Sequence, residues 1–434
     1  MKNMTRRTFL GSAALAYAMP RSALAAPAVL RAESVRLQVL PDGQNATNLL
    51  GFNGSSPGPE IRIRQGQPVS LRFENRTESE SAIHWHGIRL QNAMDGVPGL
   101  TQPVVAPGED FDYSFTPPDA GTYWYHSHHR SWEQVAQGLY GPLIVEETVP
   151  PLVDEDITVV VDDWRLTEDG KLAGGFGNLH DFAHAGRLGN YAMVLPSVET
   201  VRQGDRVRLR LINAATARVF PIRLEGITGK IVALDGMALA QPIPLEDMEI
   251  APAQRVDVIG DATGPVQFRF VARDGLYEMG TIATEGENPG PSGGPIAALP
   301  APDIAPLPSA TDRELTLTME GGAMSGGHGG TDIWAFNGVS GLPDDPYAAF
   351  APGETATINL VNRTRFPHGI HLHGHHFFEI GPDGNTGHLR DTSLVAAGAS
   401  RRIAVRFDNP GKWLLHCHML GHQASGMKTW VSVG

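Results

Sequence analysis

The 434-residue chain has a single cysteine, which excludes an intramolecular disulfide and any multi-cysteine zinc or iron–sulfur site. A basic excess is also missing: 34 Lys and Arg face 47 Asp and Glu, for a net charge of −13. Proteins that grip nucleic-acid phosphates carry the opposite balance, so no nucleic-acid partner is expected. Long apolar runs are absent as well. The one near the N-terminus is too short to cross a bilayer, and no later segment reaches spanning length. Present in excess are 50 glycines and 33 prolines, above their usual shares of about 7% and about 5%. That punctuation disfavours long helices and favours short strands joined by turns. A hydrophobic content of 41% supplies more than one core at this length, roughly two to four domains.

Thr5-Arg6-Arg7-Thr8-Phe9-Leu10 resembles a twin-arginine export signal, and an Ala-rich apolar run follows to Met19. Ala23-Leu24-Ala25 offers small residues for cleavage before Ala26, so residues 1–25 read as a signal peptide. Twin-arginine export carries folded proteins, which suits a metalloprotein. The periplasm is the expected location and the export machinery an expected partner.

The rest of the chain repeats itself. The segments Gln65–Asn75, Gln203–Asn213 and Pro352–Asn362 each place Asn nine residues after Gly, with apolar and polar residues alternating between them. Alternation is the period of a half-buried strand. The glycines stand 138 and 149 residues apart, one small all-β domain per repeat. Val149-Pro150-Pro151 separates the first two units, and residues 287–310 hold seven prolines, a stiff surface crossover. The expected architecture is three tandem antiparallel β-sandwiches over residues 26–148, 152–286 and 311–434.

Ten of the 17 histidines fall in four short segments. These are His84-Trp85-His86, His126-Ser127-His128, His368 through His371-Leu372-His373, and His416-Cys417-His418 continuing to His422. His84 and His371 each follow the repeat Asn by nine residues, and His126 and His416 each follow a Gly by five. The first and third segments therefore occupy one structural position, the second and fourth another. In the middle unit the first position is Ile222. On a strand, residues i and i+2 share a face, so each His-x-His offers two imidazoles side by side. Four pairs give eight imidazoles, enough for three metals held three, three and two between the outer domains; imidazole suits copper, zinc, iron and nickel. Cys417 points to the opposite strand face from His416 and His418. With His368, His422 and Met427 it completes two His, one Cys and a weak Met, the ligand set of a blue-copper site.

These motifs resemble those of bacterial three-domain multicopper oxidases, the laccase and cuprous-oxidase family, over the whole mature chain. The resemblance implies cupredoxin-like Greek-key domains and four coppers. One is a blue copper on His368, Cys417, His422 and Met427. A type 2 copper takes His84 and His371. One type 3 copper takes His86, His126 and His418, the other His128, His373 and His416. Asp95 matches an acid that delivers protons to the cluster; its plainer reading is a turn residue before Gly96. The implied function is one-electron oxidation of phenols, amines or low-valent metal ions coupled to four-electron reduction of dioxygen to water. A periplasmic cuprous oxidase is the alternative within the family. A copper nitrite reductase or a copper-free scaffold of the same fold fits the four filled pairs less well. The implied partners are dioxygen and a small electron donor, and the expected state is a monomer.

Three departures stand out. His368 is followed by Gly369 where the family pattern has Pro. Gln423 stands where several bacterial relatives carry a proton-relaying Glu. No long Met-rich insertion is present, so bulky donors are expected to reach His422 or His368. A weak Cu(I) site is conceivable in Met319, Met324 and His328, though a flexible loop is the favoured reading. His129, His375 and His376 read as neighbours of the metal shell or surface residues, and His388 as exposed. His180 and His184 read as a plain loop in preference to a metal site.

Overall fold

The computed structural model of the protein describes residues 29–40, 45–288, 290, 294–323 and 332–434. The export motif with Arg6 and Arg7, the cleavage residues Ala23-Leu24-Ala25, and Pro289, Pro291, Met324 and His328 lie outside the described residues.

Strand dominates, and the α-helices among the described residues are four or five residues long. The repeat strands show why. In Val69–Asn75 the residues Val69, Leu71 and Phe73 face inward while Ser70 and Arg72 face out, the pattern of a sheet with one face on a core. This strand pairs in parallel with Val29–Leu37 and antiparallel with Asp110–Phe115. Arg206–Asn213 repeats the arrangement with Glu155–Trp164 and Arg255–Ala272. So does Glu354–Asn362, with Arg313–Gly321 and Ser400–Phe407. Each outer unit stacks two such sheets; in the middle unit hydrogen bonding runs through nine strands.

The repeated Asn is a clamp at the strand end. Asn75 donates from Nδ2 to the carbonyls of Ser79 and Val105, and its Oδ1 accepts from the Thr77 N–H. Asn213 does the same with Arg218, Ile250 and Ala215. Asn362 repeats it with Phe366, Val395 and Thr364. Each clamp fixes where the chain leaves its strand, and hence where the residue nine positions later arrives.

Buried apolar residues of the first and third units form one contiguous cluster that includes Trp85, Phe52, Trp413 and Cys417. The middle unit keeps its own core around Ile222 and Phe268. The proline-rich crossover is pinned to all three units: Leu299 packs with Val232, Asp303 O accepts from Arg89, and Pro306 O accepts from Arg406. Met319 departs from the loop reading. It sits fully buried within the strand Arg313–Gly321, opposite Phe336, because Leu317 and Met319 both face the core.

Candidate metal centre

Strand pairing sets the histidines against each other twice. In the first unit Ile83–His86 runs antiparallel to Gly121–Ser127, with His84 directly opposite His126. In the third, His368–Leu372 runs antiparallel to Gly411–Cys417, with His371 opposite His416. The two constellations then face one another across the shared core. His86 stacks on His371 with ring centroids 3.8 Å apart, and His84 on His373 at 3.9 Å. A glycine follows each of the first and third pairs for a steric reason. Gly87 and Gly374 have φ of 86° and 65°, and a Cβ would lie 2.5 Å from Asp391 Oδ2 at the first and 2.4 Å from Trp413 at the second.

The hydrogen bonds decide which ring nitrogen keeps a lone pair. A carbonyl oxygen only accepts, so Nδ1 of His84, His126, His371 and His416 carries the proton toward the main-chain oxygens of Asp95, Ser127, Asp391 and Cys417. His373 turns Nδ1 to Asp95 Oδ2 at 2.9 Å and His86 turns Nε2 to Asp391 Oδ1 at 3.3 Å. The opposite nitrogens, among them His84 Nε2, His86 Nδ1, His126 Nε2, His371 Nε2 and both of His418, are buried without a protein partner. His373 Nε2 and His416 Nε2 lie 3.0 Å apart. Orphaned, convergent lone pairs are costly in a dry interior unless a cation takes them. The ligating atoms group within 4.8 Å as His84, His86 and His371; His86, His126 and His418; and His128, His373 and His416.

Burial keeps most of these rings neutral. It drives His86, His126, His128, His371, His373 and His418 well below the usual histidine range, and neighbouring rings add to the effect. His416 is pushed down to about 3 for the same reason. A neutral imidazole is the form that binds a metal.

The cysteine set lies on the other face of the same strand. Cys417 Sγ is 3.5 Å from His368 Nδ1 and 3.7 Å from His422 Nδ1, and those two nitrogens are 3.0 Å apart. Both Nδ1 atoms are free of protons: His422 Nε2 donates to the His184 carbonyl at 2.6 Å, and His368 Nε2 to Thr364 Oγ1 at 2.8 Å. Thr364 spends its own hydrogen on the Asn362 clamp. Burial pushes the Cys417 thiol up to about 12, while the Met419 and Gly369 N–H groups work against it; a bound cation would remove the proton outright. Met427 is fully buried, its main chain paired with Cys417 and His422. Gly369 departs from proline without strain. Its N–H donates to Met419 Sδ at 3.1 Å, a bond proline would lose.

Asp95 is buried between His84 and His373, with Oδ1 3.3 Å and Oδ2 2.9 Å from their Nδ1 atoms. Burial raises its pKa, and His84 opposes the shift. Gln423 accepts from Ser131 Oγ. Sequence reasoning missed Asp391, which is buried against His86, His371 and His376 and salt-bridged to Arg255 at 2.6 Å. It stands 305 residues from His86, so no local spacing could reveal it. His375 and His376 are buried, His129 is half-buried near Glu80, and His388 is exposed. The open approach to His422 and His368 is not found. Both are fully buried, because the segment around His184 from the middle unit lies over His422 and Trp334 packs on its ring at 4.2 Å.

The sequence is similar to known proteins over nearly its whole length. Three multicopper oxidase family models match residues 34–149, 161–289 and 311–434. Multicopper oxidase MmcO of Mycobacterium tuberculosis is 31% identical, over 95% of this chain and 88% of that protein. Copper resistance protein A of Pseudomonas syringae pv. tomato is 26% identical, over 88% of this chain and 89% of that protein. The crystal structure of Lac15 from a marine microbial metagenome is 54% identical and superposes with a TM-score of 0.83, covering 94% of this chain and 100% of that one. The chain belongs to the multicopper oxidase family, copper enzymes that couple one-electron oxidations to the reduction of dioxygen to water.

Proposed function

We propose that His84 and His371 hold one copper, His86, His126 and His418 a second, His128, His373 and His416 a third, and His368, Cys417, His422 and Met427 the fourth. The observation that carries this reading is the set of buried ring nitrogens that converge without a protein partner. Copper supplies one-electron acceptance at the cysteine set and dioxygen reduction at the eight-imidazole set. The chain's own residues do the rest. Cys417 belongs to one set and its two neighbours to the other, so only a few covalent bonds separate donor side from dioxygen side. Asp95 orients His84 and His373 and holds a proton beside them; Gln423 cannot exchange one, and Asp391 is tied to Arg255, which makes Asp95 the proton carrier of this reading.

The organic donor belongs in the cavity of about 190 Å³ lined by Ala185, Leu188, Ala217, Arg218, Val219, Pro367 and Met419. Its walls are apolar apart from Arg218, as a phenol requires, and Met419 and Pro367 adjoin the cysteine set in the chain. The twin-arginine motif supports export to the periplasm, and Arg6→Lys with Arg7→Lys should leave precursor in the cytoplasm. The test of function is dioxygen uptake by the copper-loaded enzyme with a substituted phenol and no added copper. Four donor oxidations per dioxygen, without peroxide, are expected; peroxide as the product, or no uptake, contradicts the reading.

A further inference from the structure

We infer that the donor cavity selects phenols that carry a carboxylate, and that Arg218 is the residue that selects them. The inference rests on the oxidase reading above and on its placement of the donor. Arg218 is the one charged residue in a wall otherwise made of small and apolar side chains. Its guanidinium is held from behind. Nε donates to Asp163 Oδ2 at 2.6 Å and Nη2 to the Gly189 carbonyl at 2.7 Å. The main chain is held too, since the Arg218 carbonyl accepts from the Asn213 clamp at 2.9 Å. Among the described residues Nη1 has no acceptor. The Asp163 side chain is 1% exposed and that of Arg218 22%, so the pair presents its cation, and not its carboxylate, to the cavity. A guanidinium fixed at two nitrogens with the third left over is preorganised for a charge-assisted bond to a carboxylate.

The charges behind the wall favour an anion in front of it. Arg165 and Arg187 share Asp181, at 2.8 and 3.8 Å, and both also act on Asp163. With Arg218 they make three guanidiniums against two carboxylates. The next acid, Asp162, has no cation beside it: it accepts from the Tyr140 hydroxyl and the Asp163 N–H. Burial and the neighbouring Asp163 raise its pKa well above the usual carboxylate range, so it does not balance the third guanidinium. A cationic amine would meet like charge here. The cavity's volume of about 190 Å³ is below the roughly 300–1,000 Å³ of sites for larger ligands and suits a single ring, against which the Met419 thioether is a favourable contact. Pro367 immediately precedes His368, and Met419 follows Cys417 by two residues, so a ring held there lies beside the cysteine set. Each phenol gives up one electron and its hydroxyl proton and becomes a phenoxyl radical, its carboxylate unchanged. Four of them, with one dioxygen, yield four radicals and two waters.

The probes are syringate and the same dimethoxyphenol without its carboxylate, given to the copper-loaded enzyme at neutral pH. In Arg218→Met the ratio of kcat/KM for syringate to that for the neutral phenol should fall at least about tenfold. Because Arg218→Met strands the buried Asp163 carboxylate, the double variant Arg218→Met with Asp163→Asn removes both charges and should show the same fall. Dimethoxybenzoate, which has no phenolic hydroxyl to oxidise, should bind the wild type in calorimetric titration and neither variant. The wild type alone gives a further reading: raising the ionic strength should raise KM for syringate more than for the neutral phenol. An unchanged ratio in both variants, equal dimethoxybenzoate binding by wild type and double variant, or a KM for syringate indifferent to salt overturns the proposal. Dioxygen uptake with the neutral phenol tests the underlying oxidase reading separately. Should that uptake fail, the calorimetric titration still decides the role of Arg218.

Discussion

The outer and middle units place different residues at one position of the same fold. Nine residues beyond the clamping Asn stand His84, Ile222 and His371, all buried. Ile222 needs nothing but its neighbours' methyl groups. The two imidazoles need a partner for each nitrogen. The fold supplies a carbonyl to one side and leaves the other side for a metal. The middle unit spends its buried polar groups on holding the assembly. Arg255 directs its donors to the carbonyls of Thr122, Ala253 and Asp235 and to both oxygens of Asp391, touching all three units. One fold thus serves as metal cradle at its ends and as brace between them.

Removing the brace should have the largest effect. Arg255→Met leaves Asp391 charged in a dry interior without its cation, which costs about 3–5 kcal/mol. Chemical denaturation would read that loss; one under about 1 kcal/mol would mean the middle unit does not hold its neighbours this way. Asp95→Asn preserves the shape but not the proton. Reoxidation of the reduced enzyme by dioxygen should slow about a hundredfold, with anaerobic bleaching of the blue band by a phenol unchanged. Wild-type reoxidation would return Asp95 to its reading as a turn residue.

Converting the middle unit toward its siblings sharpens the comparison further. Ile222→His buries an imidazole with no carbonyl or metal arranged for it, at a cost of about 1–3 kcal/mol, and should add no copper by elemental analysis. The smallest effect per group is the response to acid. Burial holds His416 at about 3 and His422 at about 4, whereas in the denatured chain they take up protons near pH 6.5. The copper-free folded chain binds fewer protons, so its stability is full above about pH 6.5 and lost on acidification, by up to about 1.4 kcal/mol per pH unit for each histidine. A melting temperature that rose from pH 7 to pH 5 would contradict this.

Much of the site is legible in the residues because strand geometry is periodic. His-x-His on a strand must share a face, and Cys417 between two such residues must point away. Frame matching of Asn75, Asn213 and Asn362 fixes which segments are equivalent, and the pairs His84–His126 and His371–His416 meet accordingly. Contacts made across domains leave no such trace. Asp391, Arg255 and the His184 carbonyl act on residues 136 to 305 positions away, through the packing of one unit on another. The closed approach to His422 belongs to the same class. An absent Met-rich insertion says nothing about a main-chain oxygen arriving from the middle unit.

The central claim is that one thiol and ten imidazoles hold four coppers in two chemically distinct places. Copper content and the visible spectrum of Cys417→Ser, measured beside the wild type, test it most directly. Thiolate-to-copper charge transfer is the source of blue colour, and Cys417 is the only thiol in the chain. The account predicts four coppers and a blue band in the wild type, and a colourless variant that retains about three coppers and no oxidase turnover. A blue variant, or one that binds as much copper as the wild type with its turnover intact, would contradict it.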